Sequence, residues 1–247
     1  MNMKCFTIAS GENTLVGMRH MGDGTKDAAV LIVHGYLSAN RIGPYRMYMQ
    51  IANLLNERGY DVYRVDFAGC GESTDKGKIT LDGFYDNFKD TLEYVKKDFG
   101  KVIFIGHCLG ADMVVYHNSI EDSVCVKKCI GISPTPITER NLLKMFTKEQ
   151  LESAKTNHGF ERKGLYVDES FLGGLSKFEV FEKALKKNDN LLIFIPENDA
   201  YVDVPELESA CKKACVQTVV LPQADHHVLN IVAREKMFEN ILKFLEE

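Results

Sequence analysis

Nowhere in the 247-residue chain does an apolar run approach the roughly 18 residues that cross a bilayer, which excludes a membrane-spanning helix. The N-terminus carries no basic-then-apolar leader. Basic charge is also in short supply. The 30 Lys and Arg against 35 Asp and Glu leave a net charge of −5, so no electrostatic footprint for nucleic acid exists. Repeats and low-complexity tracts are absent, and so are close-set pairs of metal ligands. Cys211 and Cys215 stand four apart upstream of His226 and His227, an incomplete zinc signature, and no metal or organic cofactor is expected. The seven cysteines are odd in number and scattered, which argues for unpaired thiols, a reducing compartment and a cytoplasmic protein.

The length suits a single α/β domain with a large core. Lys4 to Ile8 and Thr14 to Arg19 read as two antiparallel edge strands joined by a turn at Ser10-Gly11-Glu12-Asn13. Ala28 to Val33 is fully apolar and runs into His34-Gly35-Tyr36. Helical spacing from Tyr45 to Arg58 stops at Gly59, and Tyr60 to Phe67 is the next strand. A helix over 81–99 leads to a strand ending at Ile105; Lys127 to Ile132, Leu191 to Ile195 and Gln217 to Leu221 complete the strand set. The helix Val228 to Leu245 closes the chain. Strands and helices alternating at this pace predict βαβ units and a mostly parallel sheet. Residues 137–190 break the rhythm with helical segments (Glu139 to Lys155, Lys177 to Lys187) around a hairpin-like piece, His158 to Gly174. An insertion of that length reads as a lid, between core segments 1–136 and 191–247.

The densest signal is Lys101 to Gly110, K-V-I-F-I-G-H-C-L-G. A buried-strand run meets Gly106-His107-Cys108-Leu109-Gly110, the G-x-nucleophile-x-G form of a strand-to-helix elbow. Small residues are needed there because strand and helix pass closely. Cys108 at the apex would project from the backbone at a helix N-terminus, whose partial positive charge favours a thiolate. The pentapeptide alone reads equally well as a buried structural cysteine.

Further segments join the elbow: His34-Gly35-Tyr36; Asp66-Phe67-Ala68-Gly69-Cys70-Gly71-Glu72-Ser73; Pro196-Glu197-Asn198-Asp199-Ala200-Tyr201-Val202; and Pro222-Gln223-Ala224-Asp225-His226. Together, in nucleophile–acid–base order, they make the chain resemble the α/β-hydrolase superfamily over nearly its whole length. The likeness is to capped serine hydrolases of the monoglyceride-lipase and esterase kind. They resemble, in turn, the oxyanion-loop H-G, the D-x-R-G-x-G-x-S segment, the acid loop and the base loop of that family. Ala68 stands where Arg is frequent, Pro196 and Gln223 where Gly is, and Cys108 where Ser is usual. Dienelactone hydrolases of the same superfamily carry a cysteine in a similar elbow.

The resemblance implies an α/β-hydrolase fold with a small lid, and a Cys108–His226–Asp199 triad. His226 would exchange protons with Cys108 and with the leaving group, while Asp199 would fix its tautomer. The backbone N–H groups of Leu109 and Tyr36 would receive the oxyanion. His226 competes with His227 as the base, and the spacing of the motif favours His226. Asp66 precedes the nucleophile and is passed over as the acid. His34 reads as a loop organiser and His107 as structural; His20, His117 and His158 carry no motif. Cys70 is a possible second thiol near the site.

The implied substrate is a small-molecule carboxylic ester or thioester. Apolar lid residues Leu142, Leu143, Met145, Phe146, Leu151, Phe160, Leu165, Tyr166, Phe171 and Leu172 are available to cover an acyl or aryl group, though about half should simply pack the lid onto the core. Acyl transfer to another acceptor, or silent binding of an acyl or aromatic ligand, are the alternatives.

Overall fold

The computed structural model describes residues 2–35, 39–76, 79–120, 125–135, 146–162, 165–173, 184–185 and 189–247. Eight strands form one sheet: β1 (Asn2–Ser10), β2 (Asn13–Met21), β3 (Ala28–Val33), β4 (Val62–Asp66), β5 (Lys101–His107), β6 (Val126–Ile132), β9 (Leu191–Pro196) and β10 (Gln217–Leu221). The sheet order is β1-β2-β4-β3-β5-β6-β9-β10. The β1–β2 and β2–β4 pairs are antiparallel and the others parallel. Only β1 of the N-terminal hairpin is an edge. Pairing with β4 makes β2 internal, a long-range choice that its own alternating pattern does not reveal.

Each apolar strand divides its side chains between the two faces, as a period of two requires. Ala29, Leu31 and Val33 of β3 join the layer formed with α2 (Leu81–Lys96) and α3 (Leu109–Ile120), whereas Ala28, Val30 and Ile32 join the layer formed with α1 (Met47–Asn56) and the C-terminal helix (Ile231–Glu246). Burying one large side chain such as Phe104 stabilises the fold by about 1.5–3 kcal/mol, so both layers are needed to hold the central strands.

Two helix starts differ from their sequence spacing, for backbone reasons. Tyr45 (φ 46°) and Arg46 (φ 64°) are left-handed, so a short 3₁₀ turn at Pro44–Arg46 precedes α1. Val228 is also left-handed (φ 51°), and the Asn230 side chain caps the N–H groups of Val232 and Ala233, so the last helix begins at Ile231.

Between β6 and β9, α4 (Lys148–Asn157) opens with a Thr147–Gln150 capping box. An antiparallel hairpin of β7 (Gly159–Arg162) and β8 (Leu165–Asp168) follows, then the short α5 (Glu169–Gly173). The hairpin expected within His158 to Gly174 is there; most of the two expected helices (Glu139 to Lys155, Lys177 to Lys187) falls outside the described residues, apart from α4. Phe146, Phe160, Val167 and Phe171 are buried against the core, Leu151, Leu165 and Leu172 are partly buried, and Tyr166 is exposed. Leu142, Leu143 and Met145 lie outside the described residues. Ile79, just ahead of α2, bridges Val167 and fastens the excursion to the body.

Candidate active site

The nucleophile candidate owes its position to two glycines. A Cβ on Gly106 would collide with the Gly110 carbonyl, and one on Gly110 with the carbonyls of Val33 and His34. Strand, helix and β3 can therefore converge only while both stay unsubstituted. Cys108 itself has φ 55°, a strained conformation for a residue with a side chain. Its N–H donates to Ile132 (3.0 Å), and its carbonyl accepts from Ala111 (2.8 Å) and Asp112 (3.2 Å), anchoring the first turn of α3. Leu109, its first residue, is wholly buried.

The oxyanion-loop segment lies directly against this elbow. A Cβ on Gly35 would sit 2.9 Å from Cys108 Cβ and 3.5 Å from Sγ. Tyr36, expected to give the second oxyanion donor, lies outside the described residues. Its neighbour His34 is buried with both ring nitrogens engaged. Nδ1 donates to the Gly35 carbonyl (2.6 Å) and Nε2 accepts from the Phe67 N–H (2.9 Å). Burial pushes this imidazole below its usual proton affinity, so it serves the loop as a neutral ring.

The acid and base loops meet on the other side. His226 Nδ1 is 2.7 Å from Asp199 Oδ2, with both side chains buried, and Asp199 Oδ1 accepts from the Tyr201 N–H (2.9 Å). Burial would lower the proton affinity of His226. The charge of Cys108, the hydrogen bond to Asp199, the hydrogen bond to Cys108 and the charge of Asp199 outweigh it and raise the pKa to about 10. With Nδ1 taken by Asp199, Nε2 is the nitrogen left for Cys108 on the elbow. The His226 ring packs edge-on to Tyr201 at 4.9 Å between centroids. His227 is less buried, and its carbonyl accepts from Arg234 Nη2 (3.2 Å). The structure thus brings Asp199 and Cys108 together around His226 rather than His227.

Asp66 is engaged elsewhere. Its carboxylate accepts from the backbone N–H of Arg41 (2.5 Å), the Arg41 guanidinium and the Glu72 N–H (3.0 Å). Arg41 was not singled out in the sequence; a buried Asp needing a cation was the available signal. Beneath the elbow, burial above all pushes the Asp112 carboxyl well up; its Oδ2 accepts from Thr135 N (3.2 Å) and Oγ1 (2.6 Å). His20 is buried against Arg64 and His117 against Tyr85, while His158 lies exposed beside Glu169. No disulfide joins any of the seven cysteines, and Cys70 is buried in the core layer.

Among the described residues, one set of three metal-ligand atoms lies close together: His107, His226 and His227, within 4.8 Å of one another. Cys211 and Cys215 do not belong to it. Both nitrogens of His107 and Nδ1 of His226 already have hydrogen-bond partners, so a metal would have to displace those bonds.

A mostly parallel sheet with an antiparallel second strand, a glycine-flanked elbow after β5, and a paired Asp199 and His226 on the loops after β9 and β10 fit an α/β hydrolase. Residues 24–160, more than half of the chain, match the family described as serine aminopeptidase, S33, and the chain belongs to that family. Similar solved structures carry the same fold. They include the esterase Est1E from Butyrivibrio proteoclasticus with ferulic acid bound (19% identity, TM-score 0.76, covering 98% of this chain and 100% of that one). Another is the Pyrococcus furiosus esterase Pf2001 (21%, 0.70, 99% and 92%). A third is mouse alpha/beta hydrolase domain-containing protein 10 (15%, 0.72, 98% and 98%). A sequence search of curated proteins finds no match. No helix among the described residues is long and apolar enough to cross a membrane.

Proposed function

We propose that the protein hydrolyses small carboxylic esters or thioesters through an acyl-enzyme intermediate on Cys108. The observation that carries the reading is the buried His226–Asp199 pair. It is held at 2.7 Å, its imidazole favours the protonated form, and the charge of Cys108 at a positive-φ elbow and a hydrogen bond to it hold that form. An imidazolium beside the elbow stabilises a thiolate, and the thiolate is the nucleophilic form.

In the first half-reaction, Cys108 Sγ attacks the acyl carbon and the carbonyl electrons pass to its oxygen. The Leu109 N–H, with that of Tyr36, stabilises this oxyanion, each donor being worth about 3–4 kcal/mol. Collapse expels the alkoxide or thiolate, which takes the Nε2 proton of His226 and leaves a thioester on Cys108. Water then attacks the thioester while Nε2 takes its proton. The second tetrahedral species releases the carboxylic acid and restores the thiolate–imidazolium pair. Asp199 holds Nδ1–H throughout, so only Nε2 exchanges protons with the reactants.

Residues 137–190 act as the lid, with Phe146, Phe160 and Phe171 packing it down. The named esterase neighbours support an ester substrate, and the ferulic acid held by Est1E supports room for an aryl-substituted acyl group. A thiol nucleophile works only while reduced, which suits the cytoplasm.

Burst kinetics with p-nitrophenyl acetate, p-nitrophenyl butyrate and a short acyl thioester, followed by intact-mass spectrometry, test the reading. An acyl adduct on Cys108 with turnover, both lost in Cys108→Ala, is the expected result. Adduct without turnover would reassign the protein as a transferase; neither, on all three substrates, would favour a ligand-binding role.

A further inference from the structure

Tyr48, in α1, carries no motif, yet its hydroxyl is buried between the loops that build the site. Oη lies 2.7 Å from His107 Nδ1 and 3.4 Å from the backbone N of Gly35. On the far side of the same ring, His107 Nε2 lies 3.0 Å from the carbonyl oxygen of His226. Donor and acceptor rules permit one arrangement. A carbonyl only accepts, so Nε2 of His107 carries the hydrogen; a backbone amide only donates, so Oη accepts from Gly35; the hydroxyl proton then goes to the lone pair on Nδ1. The chain of donors runs from Gly35 N–H to Tyr48 O–H to His107 Nδ1, and from His107 Nε2–H to the His226 carbonyl. Burial, and next to it the nearby His226, push the proton affinity of His107 well down, consistent with a neutral ring.

The packing around Tyr48 is made for this placement. Gly43, at φ 78°, leaves no room for a side chain: a Cβ there would sit 2.5 Å from the tyrosine ring. The bonds join three segments far apart in sequence. Gly35 touches Cys108, His107 precedes it, and the His226 carbonyl fixes the backbone of the base. Asp199 holds the His226 ring at Nδ1, and the His107 bond holds the peptide from which that ring springs.

We propose that Tyr48 is a positioning residue: acting through His107, it sets the backbone of the base loop and keeps the Gly35 segment seated on the nucleophile. This rests on the reading of Cys108, His226 and Asp199 as a triad. It requires Nε2–H to be the resident tautomer of His107 and its Nδ1 to accept from the Tyr48 hydroxyl, a bond that a tyrosine serving only as filler would not make.

The test compares wild type with Tyr48→Phe, His107→Gln and His107→Ala. Proton–nitrogen correlation spectra of isotope-labelled histidine should show the neutral Nε2–H tautomer of His107 in wild type, and in Tyr48→Phe a shifted Nδ1 resonance as its hydrogen bond is lost. Acylation by p-nitrophenyl butyrate should slow about tenfold or more in Tyr48→Phe with KM little changed, because orientation rather than binding is lost. His107→Gln can donate to the His226 carbonyl and accept from Tyr48, and should stay within about threefold of wild type, while His107→Ala should fall as Tyr48→Phe does. A wild-type acylation rate in Tyr48→Phe, an Nδ1–H tautomer in wild type, or equal loss in the Gln and Ala variants would overturn the proposal. Should Tyr48→Phe fail to fold, the tautomer and the Gln–Ala contrast decide it. Absence of any Cys108 adduct in wild type would sink the triad reading and this role together; a normal adduct with an indifferent Tyr48→Phe would sink this role alone.

Discussion

Two buried aspartates stand on the same edge of the sheet, and they are used in opposite ways. Asp66, at the end of β4, is saturated: it accepts from the Arg41 backbone and guanidinium and from Glu72 N–H, and its own carbonyl accepts from Ser73 Oγ (2.6 Å). His34, beside it, likewise has a partner on each nitrogen. Asp199, in the loop after β9, pairs with an imidazole whose second nitrogen serves Cys108. Arginine keeps its proton at any working pH, so the Asp66 side is a fixed joint. Imidazole exchanges its proton, so the Asp199 side can do chemistry. A buried carboxylate is therefore not in itself a sign of catalysis; what its partner can release decides.

The largest expected effect of breaking that difference is on activity. Cys108→Ala should lower kcat by roughly 10⁴-fold or more and abolish the acyl adduct by mass. Asp199→Asn should lower kcat by about 10³- to 10⁴-fold through loss of the Nδ1–H tautomer, with little change in the urea midpoint. Asp66→Asn should reverse the pattern. Leaving Arg41 without its buried partner should cost about 3 kcal/mol, read as a lower urea midpoint, while Cys108 still takes an acyl group below the transition. Equal losses of stability in the two variants would erase the distinction between joint and site.

Cys108→Ser sharpens it further, since the family is described by a serine. A neutral hydroxyl removes the charge that raises His226 most, so the titration of that imidazole should move down toward its ordinary value, followed by proton–nitrogen spectra. Turnover should survive at roughly one-tenth to one-hundredth of wild type, because a hydroxyl must be deprotonated by the base during attack. An unmoved His226 would show that Asp199 alone holds its proton.

Local signals made most of this legible. Runs such as Ala28–Val33 and Leu191–Pro196 announce buried parallel strands, and the elbow, acid and base loops were legible as short motifs through their resemblance to the hydrolase family. The pairing of β2 with β4 was not legible, because strand partners are chosen by the whole sheet. Neither was Tyr48. Flanked by Met47, Met49 and Ile51, it reads as another core residue of a helix, and its meaning comes from a contact with His107, 59 positions away. The left-handed residues Tyr45, Arg46 and Val228 hid the helix starts for a related reason: they hold conformations that tertiary contacts impose, such as the bond from Arg234 Nη1 to the Tyr45 carbonyl (3.2 Å).

The smallest effect separates the histidines of the two sides by the sign of their pH dependence. His226 is raised from 6.5 to about 10 in the fold, so the native state keeps a proton that the unfolded chain gives up. Its contribution to stability is complete below about pH 6.5 and is lost as pH rises from there through about 10. His20 is lowered to about 4, chiefly by burial, and His34 and His107 are also lowered. These rings favour folding above about pH 6.5 and lose that contribution as acid protonates the unfolded chain in preference. Cys211, raised by burial to about 12, and Cys129, raised in the same direction, weaken the fold in alkali only above the ordinary thiol value of 9.0. The imidazolium of His226 is paired with a Cys108 thiolate that the unfolded chain keeps protonated up to the ordinary thiol value of 9.0. From about pH 6.5 to 9 the proton that His226 gains on folding is therefore the one that Cys108 gives up, and the pair leaves stability level. Urea midpoints measured across that interval should stay level in wild type, while acid weakens both wild type and His226→Gln. A decline in wild type across it would mean that His226 gains a proton that Cys108 does not release, and the thiolate–imidazolium pair would go with it.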